Sequence, residues 1–377
     1  MPTPIYGRCD PKFAPVRTAF ESNFHELNDI GASVAITHEG EFVVDLWGGH
    51  TSPEKTEEWQ EDTLVNVWSS TKTMAAMCML LLSDKGEVDL HAPAAKYWPE
   101  FAANGKDDVE VRYFLSHSAG LSGMDEPVTG DALYDWEWMT SALARQAPWW
   151  EPGTQSGYHA LTQGHLIGEI VRRVTGQSIG QFFKQEIAAP LGADFHIGAD
   201  KALDAQIRDL ITPTEAIEMP DADSIAGRTF ANPAPDAAAA NTRAWRAAEI
   251  PAANGQGNAR SIVRAQTAMA NGGEAFGKQI MSEAGTRRIF EEQSSGVDLV
   301  LGMPFRLGMG YGLNSELLPL GPSKNLCFWG GYGGSLVIVD QDERLCFSYV
   351  MNRMEPGLVG DMRGFNLVAA MYASMAS

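Results

Sequence analysis

The chain has 377 residues, 44% hydrophobic and 20% charged, a balance that suits a soluble globular protein with one large core or two lobes and argues against disorder. Its 28 Lys plus Arg stand against 48 Asp plus Glu, and a net charge of −20 repels a phosphate backbone, so nucleic acid is excluded as an expected partner. Four scattered cysteines (Cys9, Cys78, Cys327, Cys346) form no C-x-x-C pair, and three lie inside apolar runs, so they read as buried thiols.

The opening residues MPTPIYGRCDPKF lack a basic stretch followed by an apolar one. No later segment offers about 18 uninterrupted apolar residues. A cytoplasmic location is therefore expected, with neither export nor a membrane span. Phe13, Val16, Phe20, Phe24 and Leu27 recur at three- and four-residue steps, which predicts an amphipathic N-terminal helix closed by Gly31. SVAITHEGEFVVDLWGG then reads as an antiparallel hairpin turning at His38, Glu39 and Gly40.

A helix is predicted from Ser69 to about Lys85 and Gly86, with the glycine just past the last turn. LTQGHLIGEIVRRVT, residues 161–175, predicts a second amphipathic helix with Leu166, Ile167, Ile170, Val171 and Val174 on one side. Residues 213–240, rich in Pro, Ala and Asp, read as a long surface excursion with little core of its own. Near the end, LCFWGGYGGSLVIVD and RLCFSYVMNRM read as two β-rich runs joined by a turn at Asp340 to Glu343, and FNLVAAMYASMA as a last helix.

Strands at both ends and helices between them imply an α+β fold in which the termini share one antiparallel sheet. The expected division is an α/β lobe of residues 1–66 and 255–377 and a mostly helical lobe of residues 67–254. The cleft between the lobes is the natural site. The segment 213–250 is a candidate cover for it.

The stretch WSSTKTM places Ser69 and Lys72 three residues apart at the start of a helix, hence on one face. Ser70 has Thr73 at that spacing, so only Ser69 can meet an amine in this way. A serine hydroxyl needs a base, and lysine serves when burial and the helix dipole lower its pKa. The bland alternative is a helix cap with a lysine reaching for solvent.

Two companions weigh against that alternative. Tyr158, delivered by the Pro-Gly turn of EPGTQSGY, can relay protons between Ser69, Lys72 and a leaving group; otherwise it is a loop tyrosine packing on its helix. Trp329, Gly330, Gly331 and Tyr332 open a predicted strand, where glycines admit a substrate carbonyl close to a backbone N–H; otherwise they make a bulge. Trp136, Trp138, Trp149 and Trp150 crowd the region before Tyr158 and either wall an apolar pocket or pack the core.

In these pieces the chain resembles the serine β-lactamase and penicillin-binding superfamily, and within it the family VIII carboxylesterases. The resemblance runs from VAITHEGEFVVDLWGG through SSTK, the LSHSAGL of residues 115–121 and PGT…Y to WGGYGGSLVIVD. It implies a β-lactamase/transpeptidase-like fold, with Ser69 as the acylated nucleophile and Lys72 its proton-transfer partner. It further implies Tyr158 as the tyrosine of Y-x-N, Trp329, Gly330 and Gly331 as the substrate-binding strand, and the N–H groups of Ser69 and Tyr332 as the oxyanion hole.

Two departures bear on substrate: Ala160 replaces the asparagine of Y-x-N, and neutral Trp329 replaces the cation of K-T-G. Losing charge-assisted hydrogen bonds of about 1.5–3 kcal/mol each disfavours β-lactams more than neutral esters. The expectation is a cofactor-independent serine esterase acting on small to medium carboxylic esters. Alternatives are a β-lactamase, an amidase or D-peptidase, an acyltransferase with the same site, and a non-catalytic binding protein on the same fold.

Gly176-Gln177-Ser178-Ile179-Gly180 fits G-x-S-x-G, yet a helix precedes it where a nucleophile elbow needs a strand, so it reads as a helix-to-helix turn. His159 and His165 are six apart with no other ligands, and the glycine-rich stretches GMGYG and GGYGG lack the P-loop lysine. No metal, nucleotide or other cofactor is expected.

Overall fold

The computed structural model describes residues 3–215 and 219–376. Strands β1 (Ile5–Cys9), β2 (Gly31–His38) and β3 (Glu41–Gly49) come from the start of the chain. From its last third come β4 (Ser294–Val297), β5 (Pro304–Leu307), β6 (Gly312–Leu313), β7 (Leu326–Gly330), β8 (Leu336–Asp340) and β9 (Leu345–Met351). Together they form one antiparallel sheet in the order β1-β3-β2-β9-β8-β7-β6-β5-β4. The expected sharing of a sheet by the two ends of the chain is what the β2–β9 pairing accomplishes, with Tyr349 opposite Val34 and Phe347 opposite Ile36.

The centre of the sheet is covered on both faces: every residue of β8 and β9 is buried. This accounts for the unbroken apolar runs in the sequence, since a strand with only one covered face alternates. On one side the N-terminal helix α1 (Ala14–Glu26) pairs with the C-terminal helix α7 (Met362–Ala376). Helix α6 (Ala259–Ala270) lies against β2, β8 and β9, capped by Asn258, whose side chain accepts from Ser261 N. Thr37 and Thr267 join α6 to β2 through their hydroxyls at 2.7 Å.

The remaining helices are α2 (Thr71–Asp84), α3 (Trp136–Arg145), α4 (Thr162–Thr175) and the short α5 (Ile225–Ala231), with several single turns between them. Helix α2 is buried from Thr71 to Leu82 and packs on α4, so it has no solvent face and little amphipathic signature.

Three expectations need correction. Helix α1 is not closed by Gly31, because Asn28 already takes the left-handed conformation (φ 57°) that ends it; Gly31 starts β2, where a Cβ would meet His50 O at 2.2 Å. LCFWGGYGGSLVIVD is two strands rather than one, so the Trp329 stretch closes β7 instead of opening a strand. Gly333 and Gly334, at φ 96° and 126°, turn the chain there in a way that other residues resist. The 213–240 excursion does have a core contribution, since α5 buries Ala226, Thr229 and Phe230. The His38–Gly40 hairpin forms as expected, with φ 52° and 83° at Glu39 and Gly40 matching the twist of the flanking strands.

Candidate active site

Ser69 enters the site through a tight entry to α2. Val65–Asn66 pairs with Gln256–Gly257, Val67 N donates to Gly255 O at 2.9 Å, and Gly255 N donates to Thr71 Oγ1 at 2.9 Å. Between these clamps Trp68 adopts φ 47°, an uncommon value for a residue with a side chain.

Lys72 is 1% exposed, and among the described residues it has no carboxylate partner. Its Nζ lies 3.1 Å from Ser69 Oγ, 2.7 Å from Ala160 O and 2.9 Å from Ala252 O. Burial pushes its pKa well below the usual lysine range. At the position of the Y-x-N departure, the carbonyl of Ala160 accepts from the amine of Lys72.

The Tyr158 hydroxyl lies 2.5 Å from Ser69 Oγ. Three neighbours hold the tyrosine segment. Tyr158 N donates to Asp298 Oδ1 at 3.0 Å, Gly157 N to His117 O at 2.9 Å, and His159 N to His117 Nδ1 at 3.0 Å. The His117 ring lies edge-on to Tyr158 and stacks on Trp329, with centroids 5.2 Å apart in each case. Burial raises the phenol pKa, with the Asp298 charge adding to it, and it holds His117 uncharged. The Tyr158 side chain is therefore a neutral phenol at ordinary pH.

The turn after β7 comes against the start of α2. Ser335 Oγ donates to Val67 O at 2.8 Å and lies 2.8 Å from Ser70 Oγ. A Cβ on Gly331 would sit 2.3 Å from Val67 O and 3.2 Å from Ser69 N, so only glycine permits this approach. Among the described residues the amides of Ser69 and Tyr332 have no hydrogen-bond acceptor, and both residues line the same cleft.

Beside Ser69 opens a narrow, largely apolar cleft that is partly open to solvent. Trp68, Leu161, Phe230, Trp245, Tyr332 and Leu358 supply its larger walls, and among the described residues Asp236 is the only charged one lining it. Much of the wall comes from the 213–250 segment, through Thr229, Phe230, Pro233, Ala234, Ala239 and Trp245. Residues 216–218 of that segment lie outside the described residues.

Trp329, Gly330 and Gly331, expected on the substrate side, do not line this cleft. Trp329 is 1% exposed behind Tyr158, Gly330 pairs with Leu336, and Gly331 N donates to Ser335 O at 2.8 Å. The four clustered tryptophans are absent from the wall too. Trp136 donates to Glu169 at 2.8 Å, Trp149 to Asp125 at 2.9 Å, and Trp150 packs behind Gly157. Sequence reasoning missed His117 and Asp298 as supports of Tyr158: LSHSAGL does contain the histidine, whereas nothing in SSGVDLVLG marks the aspartate.

Ser178 of the G-x-S-x-G stretch caps the helix Ile179–Phe183 and donates to Glu249 at 2.6 Å, in a helix-to-helix turn as expected. Among the described residues no three His, Cys, Asp or Glu side chains cluster as a metal site, and no helix is long and apolar enough to cross a membrane.

The β-lactamase family model matches residues 20–370. A family VIII carboxylesterase of known structure is 42% identical, covers 98% of this chain and 100% of its own, and superposes with a TM-score of 0.93. A penicillin-binding protein homolog from Caulobacter crescentus is 37% identical over 99% of this chain and 100% of its own, with a TM-score of 0.92. The esterase/β-lactamase LipL of Mycobacterium tuberculosis is 34% identical over 96% of this chain and 86% of its own length. With this fold and this extent of similarity, the chain belongs to the β-lactamase family and is a serine hydrolase of the family VIII carboxylesterase type.

Proposed function

We propose that the protein hydrolyses small to medium carboxylic esters by double displacement without a cofactor, with Ser69 as the acylated nucleophile. The carrying observation is the setting of Lys72, 3.1 Å from Ser69 Oγ with the Ala160 and Ala252 carbonyls at 2.7 and 2.9 Å. A neutral amine has two N–H bonds and one lone pair. When the two carbonyls accept the N–H groups, the lone pair is left for the Ser69 hydroxyl.

Lys72 takes the Ser69 proton as Oγ attacks the ester carbonyl, and the carbonyl oxygen gains negative charge against the Ser69 and Tyr332 amides. The C–O bond to the alcohol then breaks, Tyr158 protonates the departing oxygen, and Lys72 returns a proton to Tyr158. In deacylation a water gives a proton to the Lys72–Tyr158 pair and attacks the acyl carbon; Ser69 leaves and recovers its proton from Lys72.

The largely apolar cleft, with Asp236 its only charge among the described residues, supports neutral esters over β-lactams or peptides that carry a carboxylate. We also propose the two-lobe division at residues 1–66 with 255–377 and 67–254, which would place the site where the lobes meet. Labelling with a fluorophosphonate and peptide mapping tests the reading. A single adduct on Ser69 with turnover of p-nitrophenyl esters is expected, and an unlabelled Ser69 overturns it.

A further inference from the structure

Behind the turn that carries Tyr332 lies a buried ion cluster. Arg363, 2% exposed at the start of α7, uses all five of its N–H groups. Nη1 donates to Asp29 Oδ1 at 2.9 Å and Arg353 O at 2.8 Å; Nη2 donates to Asp361 Oδ2 at 2.6 Å and Gly333 O at 2.7 Å; Nε donates to Asp361 Oδ1 at 3.1 Å. Asp29 is wholly buried and also accepts from the Tyr349 hydroxyl at 2.5 Å. Burying three charges is costly, and a well-packed apolar cluster would hold two helices on a sheet as well. The contacts such a cluster cannot replace are those to the carbonyls of Arg353 and Gly333, and the second of these reaches the turn that carries Tyr332.

Gly333 follows Tyr332 directly, and its turn is gripped from two sides. On the Ser69 side, Ser335 Oγ donates to Val67 O. On the other side, Arg363 holds Gly333 O, which also accepts from Glu355 N at 3.1 Å, while Gly333 N donates to Gly357 O at 3.0 Å. The packing leaves no room for a methyl: a Cβ on Gly334 would lie 2.2 Å from Asp361 Oδ2 and 2.6 Å from Arg363.

We infer that Arg363, fixed by Asp29 and Asp361, is a positioning residue that sets the Tyr332 amide for the oxyanion through the Gly333 carbonyl. The inference rests on the reading of the Ser69 and Tyr332 amides as the oxyanion hole. Lysine keeps the charge but lacks the planar fork, and cannot reach both carboxylates and both carbonyls at once. An amide displaced by a fraction of an ångström loses much of its value for the transition state while substrate still binds.

The test uses Arg363→Lys and Asp361→Asn in the full chain, with steady-state kinetics on p-nitrophenyl butyrate and inhibition by phenylboronic acid, whose tetrahedral serine adduct places an oxygen where the oxyanion forms. The expected result for Arg363→Lys is a kcat about 10- to 100-fold lower, part of what losing a whole oxyanion donor costs, with KM within about threefold. The boronate inhibition constant should rise in step with the loss in kcat/KM, and Asp361→Asn should show the same pattern more weakly. A folded Arg363→Lys with kcat and boronate affinity within about twofold of wild type overturns the inference. Where Arg363→Lys does not fold, Asp361→Asn decides by the same criteria. A wild-type protein that neither hydrolyses the ester nor takes a fluorophosphonate on Ser69 is a different failure, removing the reading on which the inference stands.

Discussion

The Lys72 amine is held 2.7 Å from the backbone carbonyl of Ala160, at the position where the family resemblance places an asparagine side chain. A carbonyl can only accept, so it favours N–H groups directed away from Ser69 and leaves the lone pair toward it. Lys72→Ala and Tyr158→Phe should each lower kcat by about 10²- to 10⁴-fold, the usual contribution of a placed acid or base. Lys72→Arg should lose as much as Lys72→Ala, because a guanidinium keeps its proton. Steady-state assays on a p-nitrophenyl ester check all three, and a Lys72→Arg enzyme at near wild-type rate would remove Lys72 from the base role.

The pH profile should be one-sided. In the proposed mechanism Lys72 acts as the neutral amine, so kcat/KM is lost as pH falls through its lowered pKa, giving an acid limb well below the ordinary lysine value of 10.5. Tyr158 acts protonated, and burial raises its pKa, so it contributes no falling limb below its ordinary value of 10.0. A substrate that does not titrate, assayed in overlapping buffers up to pH 10, shows whether the plateau holds.

Asp236 should select against anionic esters. Its Oδ1 accepts from Ala238 N at 2.9 Å, which fixes the side chain at the edge of the cleft. Replacing it with Asn should raise kcat/KM for a hemisuccinate ester several-fold, roughly the 1 kcal/mol that two unit charges exert at short range in water. The neutral butyrate ester should change by less than twofold. Competition between the two esters in one reaction gives the ratio directly.

Gly331→Ala should damage catalysis more than stability. The added methyl meets Val67 O at 2.3 Å and must push the turn away from the start of α2. Overpacking of this kind costs about 1–3 kcal/mol, readable as a shift in the denaturant midpoint. The loss of kcat should exceed about 100-fold, because the displaced element carries the Tyr332 amide.

Lys106 should leave a stability signature at alkaline pH. The fully buried ammonium donates to the carbonyls of Ala103, Ala144 and Gln146, and burial lowers its pKa to about 8. Between about 8 and the ordinary 10.5 the unfolded chain binds this proton and the folded one does not, so stability rises with pH in that window. Lys106→Met should be less stable throughout, with three carbonyls unpaired, and should lose that rise. Urea unfolding at pH 7.5, 9 and 10 reads the slope.

Local chemistry was legible from residue order. The spacing of Ser69 and Lys72 needs only one helical turn, and Glu39 with Gly40 needs only one hairpin. Alternation and spacing are properties of a few adjacent residues, so they survive without tertiary knowledge. The misreadings came where a neighbour distant in sequence overrode the local pattern. Trp329, expected on a substrate-binding strand, packs against the rings of His117 and Tyr158, and the WGGYGG run, expected to open a strand, turns around Arg363 and Met354.

By itself, then, the sequence determined the antiparallel sheet shared by the chain ends, the nucleophile candidate with its amine, and the neutral character expected of the substrate. Tertiary structure alone decided which polar groups are buried together and what lines the cleft. Burial of Lys72 and Tyr158, their backbone partners Ala160, Ala252 and Asp298, and the approach of the 213–250 segment all depend on contacts between residues far apart in the chain. Desolvation is a property of the enclosed volume, and no local run of residues records how completely the rest of the chain will close around it.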